Sequence, residues 1–170
     1  LIANPNAWER WNFYSHIPWE GTKQSDGGIR PDPDDEEIFW MVVSRPEPGP
    51  AILKLKINRA GKTFDLVTDW ADDGVMFSTA QGRMNERIKV LEIFQDKLYN
   101  ANNTKSEPPV GTVQVWDRAT GNFLKEYDVT EFSDWINVDA DGNETHTLRG
   151  PDQIVVDESG IYVHGHGSQH

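Results

Sequence analysis

What the sequence lacks limits the kinds of protein it can encode. The 170 residues include no cysteine, so disulfide bonds and thiolate metal sites are excluded. No apolar run approaches the roughly 18 residues of a membrane helix, and the longest stretches, around IFWMVV, have the length of a strand. Basic residues are also few, since 16 Lys and Arg stand against 28 Asp and Glu. We therefore expect a non-membrane chain with a strongly acidic surface.

The net charge of −12 bears on the partners of the protein. Nucleic acids and anionic membrane surfaces are recognised through clustered lysine and arginine, so neither is expected to bind here. The P-loop, the dinucleotide-binding glycine fingerprint and the GxSxG motif are all missing from the sequence. We expect no nucleotide cofactor and no serine-hydrolase chemistry.

What the chain does contain is a series of short β-rich runs. They are separated by clusters of Gly, Pro, Asn and Asp, and helical periodicity is scarce, which predicts an all-β protein. One segment, 80–87, fits either a helix or a loop. The predicted strands cover 38–43, 51–57, 63–68, 75–78, 88–94, 97–101, 112–116, 122–128, 153–156 and 161–164.

Two sequence features recur with nearly the same period. An acidic turn precedes an aliphatic-aromatic pair three times, and the pairs are 60 and 63 residues apart: Ile38-Phe39, Leu98-Tyr99 and Ile161-Tyr162. A second element occurs as LKINRAGKTFDLV and as VWDRATGNFLKEYDV, with Ile57 and Trp116 separated by 59 residues. Because two independent features share a period, the chain is predicted to be built from repeats.

The second element has the residues of a tight hairpin. Asp117 can accept backbone N–H bonds across the turn, and Gly121 can adopt the positive φ that closes it. Asn58 and Gly61 are expected to do the same in a turn one residue shorter. Each unit is therefore predicted to be a four-stranded antiparallel sheet of about 60 residues, with the tyrosine-bearing strand inside and the hairpin outside, as in a propeller blade.

The sequence DKLYNANN…VGTVQVWDRATGNFLKEYDV, followed by GPDQIVVDESGIYV, resembles the blades of NHL-repeat and SMP-30 (gluconolactonase-like) β-propellers. Its WD-x-x-TG turn is also similar to that of quinoprotein propellers. The resemblance covers residues 34–170 and implies blade units at 34–93 and 94–152 and a partial unit at 153–170, while 1–33 matches no blade. These families include lactone hydrolases, lyases, redox enzymes and binding modules, so the resemblance implies architecture rather than one reaction.

About 2.5 blades make an incomplete ring, because propellers close with about four to eight. We expect either that the chain is part of a longer protein or that further copies or other subunits complete the ring. A small β-sandwich with chance repeats is the alternative fold.

The histidines near the end of the sequence are the first candidate site. His164 and His166 lie two residues apart, so on a continuing strand both imidazoles project from one face, and His170 can reach the same ion if the chain bends. This predicts a divalent metal site for Zn, Cu or Ca, with imidazole suiting Zn or Cu better than Ca. The alternative is a solvated tail. In SMP-30-like proteins the metal is usually held by carboxylate and Asn ligands, and the histidine cluster departs from that pattern.

Two further sets of residues are candidate sites. Asp139, Asp141 and Asn143 have oxygen ligands at a spacing that Ca²⁺ can use, although Asp, Gly and Asn also form plain hairpin turns. Arg83 and Arg87 can clamp a carboxylate or phosphate substrate, or can offset neighbouring acidic residues on the surface.

The sequence thus supports two functional hypotheses. The first is part of an exported NHL/SMP-30-like propeller enzyme, whose His-bound metal polarises a small-molecule substrate or activates water. The second is a non-catalytic interaction or assembly module. Export to a secreted or periplasmic location is expected because the chain begins at Leu1 rather than Met, and because the glycosylation sequons at Asn102 and Asn143 fall in predicted loops.

Overall fold

The computed structural model describes residues 29–43, 50–77, 87–104, 110–130, 134–148 and 151–165. These residues form thirteen strands, every pairing between them is antiparallel, and they include no α-helix. The prediction of an all-β protein is therefore confirmed. Nor does the described part of the chain contain a helix long and apolar enough to cross a membrane.

The first sheet, which we call sheet A, contains five strands. Four lie side by side in chain order, and the fifth pairs with the N-terminal end of the third, where Ala51 stands opposite Phe77. The strands are β1 (Ile29–Pro31), β2 (Ile38–Val43), β3 (Ala51–Asn58), β4 (Thr63–Leu66) and β5 (Val75–Phe77).

The second sheet, sheet B, is a four-stranded meander, and two separate hairpins follow it. Its strands are β6 (Arg87–Phe94), β7 (Lys97–Thr104), β8 (Val110–Asp117) and β9 (Phe123–Asp128). The hairpins are β10 (Asp134–Val138) with β11 (Glu144–Leu148), and β12 (Pro151–Asp157) with β13 (Gly160–Gly165). Each of these described sheets is open.

The side-chain hydrogen bonds predicted for the two tight turns are present in both the β8–β9 and the β3–β4 hairpin, whereas the predicted positive φ at glycine is present only in the first. Asp117 Oδ1 accepts hydrogen bonds from the backbone N and the hydroxyl of Thr120, both at 2.7 Å, and Gly121 has φ of 75°. In the shorter turn Asn58 Oδ1 accepts the backbone N–H of Gly61 at 2.9 Å. The positive φ there falls on Lys62, at 55°, and not on Gly61.

The largest core cluster lies between sheets A and B. Trp40 of β2 and Trp116 of β8 are fully buried in it, and Trp40 meets Trp70 edge to face with ring centroids 5.0 Å apart. A second cluster joins the other face of sheet B to the β12–β13 hairpin, through Val113 and Ile154 among others. Sheet A, sheet B and this hairpin are therefore stacked face to face.

The sheet boundaries differ from the predicted unit boundaries. Strand β6 was expected at the end of the first unit, yet it is hydrogen-bonded to β7 and forms an edge of sheet B. The tyrosine-bearing β7 is consequently the second strand of its sheet and not an inner edge strand. Three observed strands were not predicted, namely β1, β10 and β11. The segment 80–87, predicted as a helix or a loop, lies outside the described residues except for Arg87, which begins β6.

The directions of the side chains also show that the first two repeats are shifted by one residue from the predicted alignment, which paired Ile38 with Leu98. Ile38 faces sheet B whereas Leu98 faces sheet A, so these two residues point in opposite directions along the stack. Aligning Phe39 with Leu98 and Trp40 with Tyr99 removes the conflict, because a shift of one residue in a strand exchanges the two faces. The resulting spacing is the same as that between Ile57 and Trp116.

Candidate functional site

The β12–β13 hairpin has two unlike faces. On one face Ile154, Ile161 and Val163 pack against sheet B. On the other face Val155 and Tyr162 stand directly opposite each other in the hairpin, with 60% and 54% of their surfaces exposed. Side chains of this size are the usual content of a sheet-to-sheet contact, so the outward face is a candidate interaction surface. We call it the outer face.

The residues equivalent to Tyr162 in the two preceding sheets are Trp40 and Tyr99, and each packs against the next sheet of the stack. Trp40 projects from sheet A toward sheet B and is fully buried there, and Tyr99 projects from sheet B toward the hairpin and packs against its cluster. Tyr162 occupies the same place on the third sheet. In the described part of the chain nothing comparable packs on it, so the aromatic position that is fully buried in sheet A and half-buried in sheet B is exposed in the third sheet.

His164 lies on this outer face, next but one to Tyr162, and it is exposed. Its partner across the hairpin is Gln153. His166 and His170 lie outside the described residues, so the three-histidine metal site stays a prediction. Within the described ranges, no group of three or more His, Asp or Glu side chains is placed to hold a metal ion.

The predicted calcium ligands form the turn between β10 and β11. Asp139 Oδ1 accepts the backbone N–H groups of Asp141 and Asn143, both at 2.9 Å, and its Oδ2 accepts the Asn143 side-chain amide at 3.0 Å. These bonds, above all the one from the Asn143 side chain, lower the pKa of Asp139 below its ordinary value. The carboxylate thus stabilises a hairpin turn, the alternative that the sequence also allowed, and all three residues are exposed.

The two predicted substrate-binding arginines are only partly located. Arg83 lies outside the described residues. The backbone of Arg87 begins β6 opposite Asn103, and the structure does not describe its side chain. The proposed clamp therefore stays a prediction.

A groove of about 590 Å³ separates the last strand of sheet B from the β12–β13 hairpin. One side is formed by Tyr127 and Val129 with Val113 beside them, and the other by residues 160–163 of β13. Lys125 Nζ lies 4.2 Å from the centroid of the Tyr127 ring. The groove exists because the hairpin has two strands and covers only part of a four-stranded sheet.

Sequence reasoning missed a row of buried polar side chains on the face of sheet B toward sheet A. Asn100 pairs across the strands with Gln114, and Asn102 with Thr112, and all four are at most 3% exposed. Asn100 Oδ1 accepts the indole N–H of Trp116, and Asn102 Oδ1 accepts the Thr112 hydroxyl at 2.6 Å. The amide nitrogens of Asn100 and Asn102 are buried without a hydrogen-bond partner in the described structure.

This burial corrects one expectation. Asn102 was assigned to a glycosylation sequon in a loop, but it lies within β7 and is fully buried. A glycan on its amide is incompatible with this fold, because the sugar has no path to solvent. Alternation of polar and apolar residues in YNANN was the only signal available, and it is equally typical of a strand with a solvated face.

Sequence reasoning also missed a cluster of charged side chains that connects sheet A to sheet B. Asp32 accepts the indole N–H of Trp40 at 2.7 Å and an Arg118 guanidinium N–H at 3.5 Å, and its side chain is 8% exposed. Arg118 also pairs with Asp34, and its backbone oxygen accepts the indole N–H of Trp70 at 2.9 Å. The run RPDPDDEE has the composition of a solvated loop, and nothing in it distinguishes Asp32 from its neighbours.

No protein-family model, curated protein or solved structure matches this chain. The features that bear on function are therefore the stacked sheets, the outer face and the groove.

Proposed function

We propose that the chain is a propeller-type repeat module that acts in binding and assembly, and that its outer face contacts a sheet of a second copy. The observation that carries the proposal is the position shared by Trp40, Tyr99 and Tyr162. In sheet A the next sheet of the stack buries this aromatic residue, in sheet B the β12–β13 hairpin covers it in part, and in the third sheet it is exposed together with Val155.

Burying the apolar side chains of the outer face lowers the free energy of the protein. Burying apolar area contributes roughly 25 cal/mol per Å², and an aromatic side chain buries on the order of 150–250 Å². The outer face has the shape of a pleated sheet with an aromatic and a β-branched residue in cross-strand register, the pair type that stabilises sheet packing. A sheet of the same kind, stacked as sheet B is on sheet A, is the complementary surface.

The absence of cysteine from the chain provides a direct test. A single cysteine introduced as Gln153→Cys reports on the outer face, since Gln153 is exposed and lies two residues from Val155. We expect its rate of maleimide labelling to fall as the protein concentration is raised from nanomolar to high micromolar. The matched control is Leu124→Cys, which is exposed on sheet B away from the outer face and is expected to label at a constant rate. Concentration-independent labelling at both positions contradicts the proposal.

A further inference from the structure

We propose that the groove between β9 and β13 binds a β-hairpin of the β8–β9 kind, which adds two strands to β13 and places a tryptophan in the groove. The inference rests on the proposed binding function and names a second surface for it, the edge of β13 rather than the outer face. The occupant is identified by its chemistry: an extended hairpin whose first strand has a large aromatic residue near the turn.

Sheet B and the hairpin stacked on it differ in strand number. Sheet B has four strands in the order β6-β7-β8-β9, whereas the stacked hairpin has only β12 and β13 in the described structure. The strands β12 and β13 occupy the places of β6 and β7, so within the described ranges no strand occupies the third and fourth places. They lie over the part of sheet B that lines the groove, at Val113, Tyr127 and Val129.

The register of β13 matches that of β7. Ile161 corresponds to Leu98, because each is the second residue of the strand after its tight turn and each packs toward the preceding sheet. Leu98 stands opposite Trp116 in sheet B. A strand added to β13 in the same register therefore places its own aromatic residue opposite Ile161, on the side that faces the groove, because paired residues project from the same face.

Trp116 shows how a tryptophan at this position packs in sheet B. It is fully buried between sheets A and B, and its ring contacts Phe123 of β9 edge to face at 5.2 Å. An equivalent tryptophan in the groove would meet the Tyr127 ring and the side chains of Val113 and Val129. The groove thus has both the position and the apolar lining that this residue has where the sheet is complete.

The backbone of β13 also favours the addition of a strand. In an antiparallel pair, alternate residues direct their N–H and C=O groups away from the partner strand, so β13 presents such groups along its open edge. Addition of a strand to an exposed edge obtains affinity from main-chain hydrogen bonds and specificity from side-chain pockets. The β13 edge beside an apolar groove provides both.

The test uses the 170-residue chain and a synthetic peptide with the sequence of residues 110–128, the β8–β9 hairpin. We expect saturable binding by calorimetry, and at least about tenfold weaker binding of the peptide carrying Trp116→Ala, as for a central aromatic contact. Tyr127→Ser in the protein is expected to weaken binding of the unmodified peptide. Leu124→Ser, another exposed residue of β9 that does not line the groove, is the matched control and should leave affinity unchanged.

Amide hydrogen exchange locates the bound peptide. We expect slower exchange at alternate amides of 160–165 and unchanged exchange in β7. Faster exchange in β7 would instead indicate that the peptide displaces the protein's own β8–β9 hairpin. Absence of binding, equal affinity of the Trp116→Ala peptide, or protection that avoids β13 would overturn the inference. None of these results affects the labelling of Gln153→Cys, so failure here is distinguishable from failure of the proposed assembly.

Discussion

The indole N–H of Trp40 donates a hydrogen bond of 2.7 Å to Asp32, a carboxylate that is 8% exposed and that Arg118 of the neighbouring sheet also contacts. One side chain therefore holds a core tryptophan in sheet A and a turn of sheet B. This relationship makes the contact between sheets A and B specific, since apolar packing alone permits the sheets to slide.

We predict that Asp32→Ala lowers the free energy of unfolding by about 2 kcal/mol, because it leaves the Trp40 N–H and the Arg118 guanidinium without their shared acceptor. Urea denaturation measures the change. Asp34→Ala is the control, since Asp34 is 71% exposed and its pair with Arg118 is expected to contribute less than about 1 kcal/mol. Equal effects of the two substitutions would show that Asp32 has no special structural role.

The buried amides give a second prediction. Replacing both Asn102 and Thr112 with valine removes a buried amide nitrogen that lacks a partner, together with the hydrogen bond from the Thr112 hydroxyl to the Asn102 amide oxygen. We expect the double variant to be as stable as the wild type or about 1 kcal/mol more stable. Asn102→Val alone should destabilise, because the Thr112 hydroxyl then loses its acceptor. A large loss of stability in the double variant would mean that the Asn102 amide has an essential partner.

A third prediction concerns pH and the turn of the last hairpin. Asp157 Oδ1 accepts the Ser159 hydroxyl at 2.5 Å and the Ser159 backbone N–H at 2.8 Å, and these bonds, the hydroxyl first, hold the pKa of Asp157 below the ordinary 3.8. Since the pKa is lower in the folded state, the turn is stabilised above pH 3.8, and the contribution is lost as the pH falls through the lower, folded value. Carboxyl NMR should show Asp157 titrating below 3.8 in the wild type and nearer 3.8 in Ser159→Ala. The same titration in both proteins would refute this cause.

The histidine cluster supplies a fourth prediction. If His164, His166 and His170 bind one ion, Zn²⁺ or Cu²⁺ should raise the melting temperature, and His164→Ala or His166→Ala should abolish the shift, because a metal that binds only the folded state stabilises it. His146→Ala is the control, as His146 is on β11 and outside the cluster. Ca²⁺ should act instead through Asp139 and Asp141 if the turn ligates it. An unchanged melting temperature with all three ions rejects both metal sites.

Much of the fold follows from local patterns in the sequence. The ten predicted strands all overlap observed ones, because β-branched and aromatic runs between Gly, Asn and Asp clusters define them. The turn at Asp117 and Gly121 was predicted in detail since its hydrogen bonds are made within four residues. Strand β1 was missed because Ile29–Pro31 is three residues long and includes a proline.

The outer face was less predictable from the sequence, since it depends on which sheet faces pack against another sheet and which are exposed. Tyr99 and Tyr162 occupy similar sequence contexts, yet one packs against the next sheet and the other is exposed. Asp32 and Asp34 likewise belong to one acidic run, and only Asp32 is buried by a partner 86 positions away. Such differences arise from long-range packing, which no local pattern records.

Sedimentation equilibrium is the most direct test of whether the outer face forms a sheet-to-sheet contact. We predict that the 19.3 kDa chain forms concentration-dependent assemblies, and that the double substitution Val155→Ser and Tyr162→Ser yields a folded monomer. A folded wild-type chain that stays monomeric at high micromolar concentration would contradict the claim.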